Sequence, residues 1–351
     1  MAYTDIDDPS DYFETKLYTG TGSEQSITMD FAPNWVWLKR RDGTGSHRLF
    51  DSVRGATKEI YTDGTNAEAT EAQTLKSFNS NGFTLGTEGA TNGSSRTFAS
   101  WNWKAGTSVS GNTGGSGTAK TYTGSVNTDA GFSIIRYIGN GSAGHTIPHH
   151  LGTTPAWVIA RTISAEKEWD VYHHKNTSSP ETDYLVLNTT AATSDSNDKW
   201  NDTAPTSSVV TLGDSSQLNT NDGTCIMYAL AEKKGYSKFG SYIGNGVAAN
   251  NTFVYTGFKV GWVLIKRSNS AGEGWFIFDS IRSPANLNVN ELRADVATAE
   301  TTGSHYIDFL SNGFKPKTAG AGIGRSGDTY IYMAFAENPF VTSTGVLATA
   351  R

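Results

Sequence analysis

The chain of 351 residues holds a single cysteine, Cys225, so no internal disulfide can form. Cys225 sits in the apolar run Cys225-Ile-Met-Tyr-Ala-Leu, which predicts a buried strand. A fold with no disulfide framework fits synthesis in a reducing cytosol. Charge is scarce too: Asp, Glu, Lys and Arg make up 18%, well below the usual quarter. Net charge is −6, the pI is near 5.7, and no basic block exceeds Lys39-Arg40-Arg41. Nucleic-acid binders carry a basic footprint, so no nucleic-acid partner is expected. No stretch approaches the ~18 apolar residues of a membrane span. The start, MAYTDIDDPSDYF, lacks the basic and apolar regions of a Sec signal, so neither membrane insertion nor secretion by that route is expected.

Small polar residues replace the missing charge: 38 Gly and about 80 Ser plus Thr. Aromatics are plentiful, with 9 Trp, 15 Tyr and 16 Phe, which separates this chain from disordered ones. Thr, Ser, Gly and aromatic enrichment predicts an all-β chain with many turns.

Internal repetition organises the rest. Tyr137-Ile-Gly-Asn-Gly141 recurs as Tyr242-Ile-Gly-Asn-Gly246, and Trp157-Val-Ile-Ala-Arg161 as Trp262-Val-Leu-Ile-Lys266. Thr224-Cys-Ile-Met-Tyr-Ala-Leu-Ala-Glu232 likewise recurs as Thr329-Tyr-Ile-Tyr-Met-Ala-Phe-Ala-Glu337, and all three offsets are 105 residues. A third copy lies upstream in Tyr18-Thr-Gly-Thr-Gly22, Trp35-Val-Trp-Leu-Lys39 and Thr97-Phe-Ala-Ser-Trp-Asn-Trp-Lys104. Copies one and three share Phe50-Asp-Ser-Val-Arg54 with Phe278-Asp-Ser-Ile-Arg282; copy two carries Trp169-Asp-Val-Tyr-His-His174 instead. The predicted organisation is a leader 1–11, β-sandwich modules 12–106, 131–234 and 236–341, and a tail 342–351. Between the first two modules lies a Gly/Ser/Thr-rich tract 107–130, expected as a flexible linker or a long hairpin.

Continuous apolar runs such as Trp35-Val-Trp-Leu predict strands buried on both faces. Asn-Gly and Asp-Gly pairs between runs predict hairpin turns. Helix is expected only over Ala67–Leu75 and Asn288–Ala299. The fold class is therefore all-β: three tandem antiparallel β-sandwich modules of jelly-roll or lectin-like type.

Four residues are candidates for glycan contact: Asp51, Arg54, Asp279 and Arg282 of the Phe-Asp-Ser-Val/Ile-Arg element. The competing and favoured expectation is a buried turn lock, in which Asp and Arg pair across a tight turn. Copy two gathers His145, His149, His150, His173 and His174, expected as solvated loop histidines rather than a metal site. Ser194–Asp202 is rich in oxygen donors but lacks the glycine and closing glutamate of an EF-hand, so a polar loop is expected. Ala319-Gly-Ala-Gly-Ile-Gly324 has no Lys-Ser/Thr behind it and predicts a turn, not a phosphate cradle. No catalytic residue, metal or cofactor is expected.

The phrases WVWLKRR, LFDSVRGATKEI, SFNSNGFTLG, WNWKAG, GSVNTDAGFSIIRYIGNGSAGHTIPHHLG, KFGSYIGNG, FVYTGF and YIYMAFAENPF resemble a tailed-bacteriophage virion protein family, common among marine phages and similar to concanavalin-like lectin modules. The resemblance spans about Tyr12 to Phe340. It implies a non-enzymatic virion structural protein of tail-fibre or receptor-binding type that contacts host-surface glycans. The alternatives are a capsid decoration or head-fibre protein bound to the major capsid protein and, more remotely, a polysaccharide depolymerase. It further implies location on the virion, assembly in the host cytoplasm, release by lysis, and contact with a tail adaptor or capsid. A homotrimer is expected. The acidic start (Asp5, Asp7, Asp8, Asp11) is expected as a disordered leader or as a contact for a basic partner.

Overall fold

The computed structural model describes residues 4–347, the side chain of Ser304 apart. Residues 1–3 of the expected leader and 348–351 of the expected tail lie outside the described residues. The chain is all-β, and each module builds a large antiparallel sheet with smaller strands packed over it. In the first module the large sheet runs Phe13–Thr19, Thr97–Trp103, Trp35–Arg40, Arg48–Asp51, Lys58–Tyr61, Ala69–Thr70 in spatial order. Gln25–Thr28, Gly82–Leu85 and Leu75–Asn79 form its small sheet. The second module repeats this with Phe132–Ile138, Thr224–Leu230, Trp157–Thr162, Asp170–His173 and Asp183–Val186, over which His145–Pro148 and Val209–Leu212 pack. The third uses Ser237–Ile243, Thr329–Pro339, Phe258–Arg267, Trp275–Asp279 and Asn288–Arg293. Its strand Thr301–Leu310 pairs with both Asn288–Arg293 and Gly313–Pro316, joining the two layers into one nearly closed sheet.

The apolar runs are buried on both faces, each face in a different core. Val36 and Leu38 point into a core private to the first module, with Ile27, Leu75 and Phe83. Trp35 and Trp37 alternate with them and point the other way. There they meet Trp101 and Trp103, Trp157, Trp169 and Tyr228 of the second module, and Trp262, Trp275 and Phe335 of the third. Eight of the nine tryptophans lie in this shared core; the ninth, Trp200, lies in the second module's own. Rings of this size supply most of the apolar area such a core buries. The three modules are thus wedges around one centre.

The boundaries repeat around that centre. Glu68 N donates to Ile163 O (2.8 Å), Thr193 N to Ser268 O (2.8 Å) and Glu300 N to Arg41 O (2.9 Å). These join module one to two, two to three and three to one, at equivalent sequence positions. A second ring runs alongside: Lys167 N to Thr65 O (2.8 Å), Gly272 N to Thr190 O (3.0 Å) and Gly45 N to Ala297 O (2.8 Å). Two cyclic sets, donating in opposite senses around the centre, define a pseudo-threefold arrangement within one chain.

The Tyr-x-Gly-x-Gly repeat has a local cause. Tyr18, Tyr137 and Tyr242 donate their hydroxyls to the loop carbonyls of Thr91, Leu218 and Ile323. A Cβ on Gly20, Gly139 or Gly244 would lie 2.3, 2.3 and 2.4 Å from the facing carbonyl oxygen of Gly93, Thr220 and Arg325. Gly22, Gly141 and Gly246 take φ near 70° (+70, +68, +73), a conformation that costs glycine nothing.

One open alternative resolves and two expectations change. Tract 107–130 is a hairpin: Thr107–Asn112 pairs with Thr121–Asn127, which pairs with Phe132–Ile138, so it extends the second module's sheet. Neither predicted helix forms: Asn288–Arg293 is a strand that buries Leu292 in the shared core, and 67–75 is loop and short strand with Ala69 and Ala72 exposed and Leu75 buried. Residues 4–11 of the leader are packed rather than disordered: Ile6 is buried in the shared core, and Asp5 and Lys234 exchange hydrogen bonds.

Candidate binding surface

Asp51 sits where the strand Arg48–Asp51 ends, and its Oδ1 accepts from the backbone of Val53 (3.1 Å) and Arg54 (2.8 Å). Oδ2 takes Arg54 Nε and, across the module boundary, Tyr228 Oη at 2.7 Å. Arg54 spends its remaining donors on the Leu49 and Lys58 carbonyls and on Glu68. Burial works against the Arg54 charge and the Asp51 carboxylate more than offsets it, holding the guanidinium above its usual range. Asp279 and Arg282 reproduce the arrangement, with Trp101 Nε1 as the cross-boundary donor at 3.0 Å. The side chains of Asp51, Arg54, Asp279 and Arg282 have no exposed surface. Glycan contact by these four therefore gives way to the turn lock.

The second module shows why its copy differs. Strand register puts His173 opposite Trp157, as Asp51 is opposite Trp35 and Asp279 opposite Trp262. The residue across that boundary is Met333, aligned with Trp101 and Tyr228, and methionine has no proton to donate. A carboxylate there would be buried without its partner. His173 instead donates from Nε2 to the Tyr332 carbonyl at 3.2 Å and accepts at Nδ1 from Lys175 N.

His145, His149 and His173 are buried, which corrects the expectation of solvated histidines. His145 bridges Asn219 and Thr113, and His149 bonds the Thr206 carbonyl. Burial drives all three pKa values down, His173 to about 3, so they are held neutral. Among the described residues no three His, Cys, Asp or Glu side chains are grouped to hold a metal ion.

Ser194–Asp202 ends in a helical turn, Asn197–Trp200, rather than an open polar loop. Trp200 is buried, and Lys199 reaches Asp170 at 3.2 Å. Burial pushes the Asp170 carboxyl up to about 7 despite that ammonium. In the glycine run, Gly324 stands where the first two modules have Asn92 and Asn219, whose side chains staple the Tyr-x-Gly-x-Gly loop. Asn251 does that work in the third module, and a Cβ on Gly324 would lie 2.6 Å from its Nδ2. The run makes room for a side chain.

Three cavities open at module boundaries or edges. One of about 630 Å³ lies between Asn34, Ser52 and Val53 and the 107–127 hairpin, lined by small polar residues. One of about 220 Å³ is bordered by Glu14 and Glu337, each paired with a lysine, Lys16 and Lys259. The third, about 570 Å³, lies at the start of the third module, bordered by Glu232, Lys233, Lys234, Lys238 and Tyr255. Tyr255 is 61% exposed, and Phe253 beside it is 44% exposed. Sequence inspection passed over this pair. The repeat alignment held the signal, because the equivalent positions are Ser26 and Thr28 in module one and Thr146 and Pro148 in module two.

Fold and surface together define a pseudo-threefold all-β protein whose recurring polar motifs are internal braces. The chain belongs to the family described as Domain of unknown function (DUF7483), which matches residues 8–339. No curated protein and no solved structure matches the chain.

Proposed function

We propose that the chain is a non-enzymatic binding protein displayed on a bacteriophage particle, of tail-fibre or receptor-binding type, that contacts host-surface glycans. The supporting observation is a division within the repeat. The buried framework recurs three times, while the exposed rims differ from module to module, as at Phe253 and Tyr255. Modules braced at every boundary hold their rims at fixed spacing, which suits presentation to a surface. Gold-labelled antibody against the protein on intact phage tests this: label on the tail or its appendages supports it, and label absent from the particle overturns it.

The pseudo-threefold arrangement favours one second reading, a decoration or head-fibre protein bound to the major capsid protein. Three near-equivalent wedges around one centre suit a three-fold position on a shell. Label spread over the head supports that role. The depolymerase alternative needs a carboxylate pair free to act, and Glu14 and Glu337 both hold lysine partners.

A further inference from the structure

The first strand of each module pairs on one side with that module's last strand, in equivalent register. Its other side differs among the three. In module two Thr121–Asn127 pairs antiparallel along it and sets Ser125 opposite Ile134. In module three Phe239 holds the place of Ile134, and the boundary closes the edge there. Phe239 N donates to Glu232 Oε1 (2.9 Å), and its carbonyl accepts from His174 Nε2 (2.8 Å). In module one that place falls to Thr15, on the seven-residue strand Phe13–Thr19. Lys104 N donates to Tyr12 O and Gly20 N to Arg96 O, so strand alternation turns the N–H and C=O of Thr15 and Leu17 outward. Among the described residues no hydrogen bond reaches those four groups. Glu337, at the place of Glu232, pairs with Lys259 (2.7 Å).

Beside this edge lies the 220 Å³ cavity, whose apolar walls are Phe13, Ile281 and Ala336. The repeat explains it. Ser125 shares a cavity lining with Asn34 and Val53, and Gly261 and Ile281 hold those two places where module three meets module one. Glycine in place of asparagine widens the space. Ile281 is left 48% exposed, and Leu17 on the strand 38%. An unbroken edge with open donors and acceptors is a template for one more strand.

We infer that Phe13–Thr19 is a docking edge for an extended segment of a second protein, added antiparallel as Thr121–Asn127 is in module two. Thr15 and Leu17 exchange backbone hydrogen bonds with it. The residue opposite Thr15 is a large apolar one, seated in the cavity where module two has the small Ser125. Backbone pairing supplies affinity, and this side chain supplies selectivity. The inference goes beyond the glycan-contact reading and does not depend on it.

The probes are two fluorescent synthetic peptides with the sequence of residues 119–128, one unaltered and one carrying Ser125→Leu, titrated with the full chain by anisotropy. Expected is saturable binding, roughly tenfold tighter for the leucine peptide, with hydrogen-exchange protection in residues 13–19. Leu17→Pro removes one outward donor, keeps the pairing with Thr97–Trp103, and should abolish binding. Ser241→Pro, at the same place in module three, should leave it unchanged. Ile281→Asp should erase the preference for leucine. Melting curves of the variants should stay close to the parent, because all three side chains are exposed. No binding of either peptide overturns the docking edge. So does binding that survives Leu17→Pro, or protection that falls on the outer hairpin strand Thr107–Asn112 instead. Equal affinity for the two peptides overturns the apolar seat.

Discussion

Tyr228 donates its phenolic proton to Asp51 Oδ2 across 2.7 Å, joining the last strand of the second module to the strand Arg48–Asp51 of the first. This bond, its Trp101–Asp279 counterpart and the backbone rings make the three repeats one cooperative unit. Removing one member leaves a charge buried without its partner. Arg54→Met is expected to cost about 3–5 kcal/mol, and Tyr228→Phe about 1–3 kcal/mol. Urea unfolding monitored by tryptophan fluorescence reads both, with a single transition expected because eight tryptophans share one core.

The third boundary offers a rebuilding experiment. His173→Asp alone places a carboxylate opposite Met333, where nothing donates to it, and is expected to cost about 3 kcal/mol or more. Adding Asn176→Arg and Met333→Tyr restores the partners that Asp51 enjoys, since Asn176 stands three residues on, as Arg54 does from Asp51. The triple variant should regain part of that loss. Stability no better than His173→Asp alone would sink the equivalence of the three boundaries.

Glycine positions separate close approach from backbone conformation. Gly139→Ala drives a Cβ to 2.3 Å from the Thr220 carbonyl oxygen and is expected to cost about 1–3 kcal/mol. At Gly152, φ is +70° and nothing lies within 4 Å, so alanine there should cost only about 1 kcal/mol. Equal losses in thermal unfolding would count against the close approach.

Asp170 provides a pH signature. Its folded-state pKa of about 7 lies above the usual 3.8, so between these values the folded state holds the extra proton and loses stability as pH rises. Asp170→Asn removes that dependence. The stability difference, variant minus parent, should therefore climb from pH 4 to pH 7 and level off above, by at most about 4 kcal/mol. Its absolute offset also contains the loss of the Lys199 counter-charge, so the slope is the readout. A flat difference would reject an Asp170 that is protonated at neutral pH.

Because one chain already turns three wedges inward, a mass near 37.6 kDa is expected by light scattering, the single-chain form. A mass three times larger would instead support the homotrimer that the family resemblance implies.

The sequence by itself determined the all-β class and the three repeats, because strand periodicity, turn residues and a constant offset are local properties of the chain. It also singled out the Asp-x-x-Arg element, since a short polar pairing across a turn is legible in four residues. The shared core lay beyond it. Trp35 and Val36 are both simply apolar in sequence, and only packing sends one to the common centre and the other to a private core. The same holds for the histidines, which look solvated by composition and are buried because partners as distant as Asn219 and Tyr332 meet them. The exposed pair Phe253 and Tyr255 is the converse: aromatic residues in a strand predict burial, and only the tertiary structure, by leaving their side of an edge strand uncovered, puts them in water.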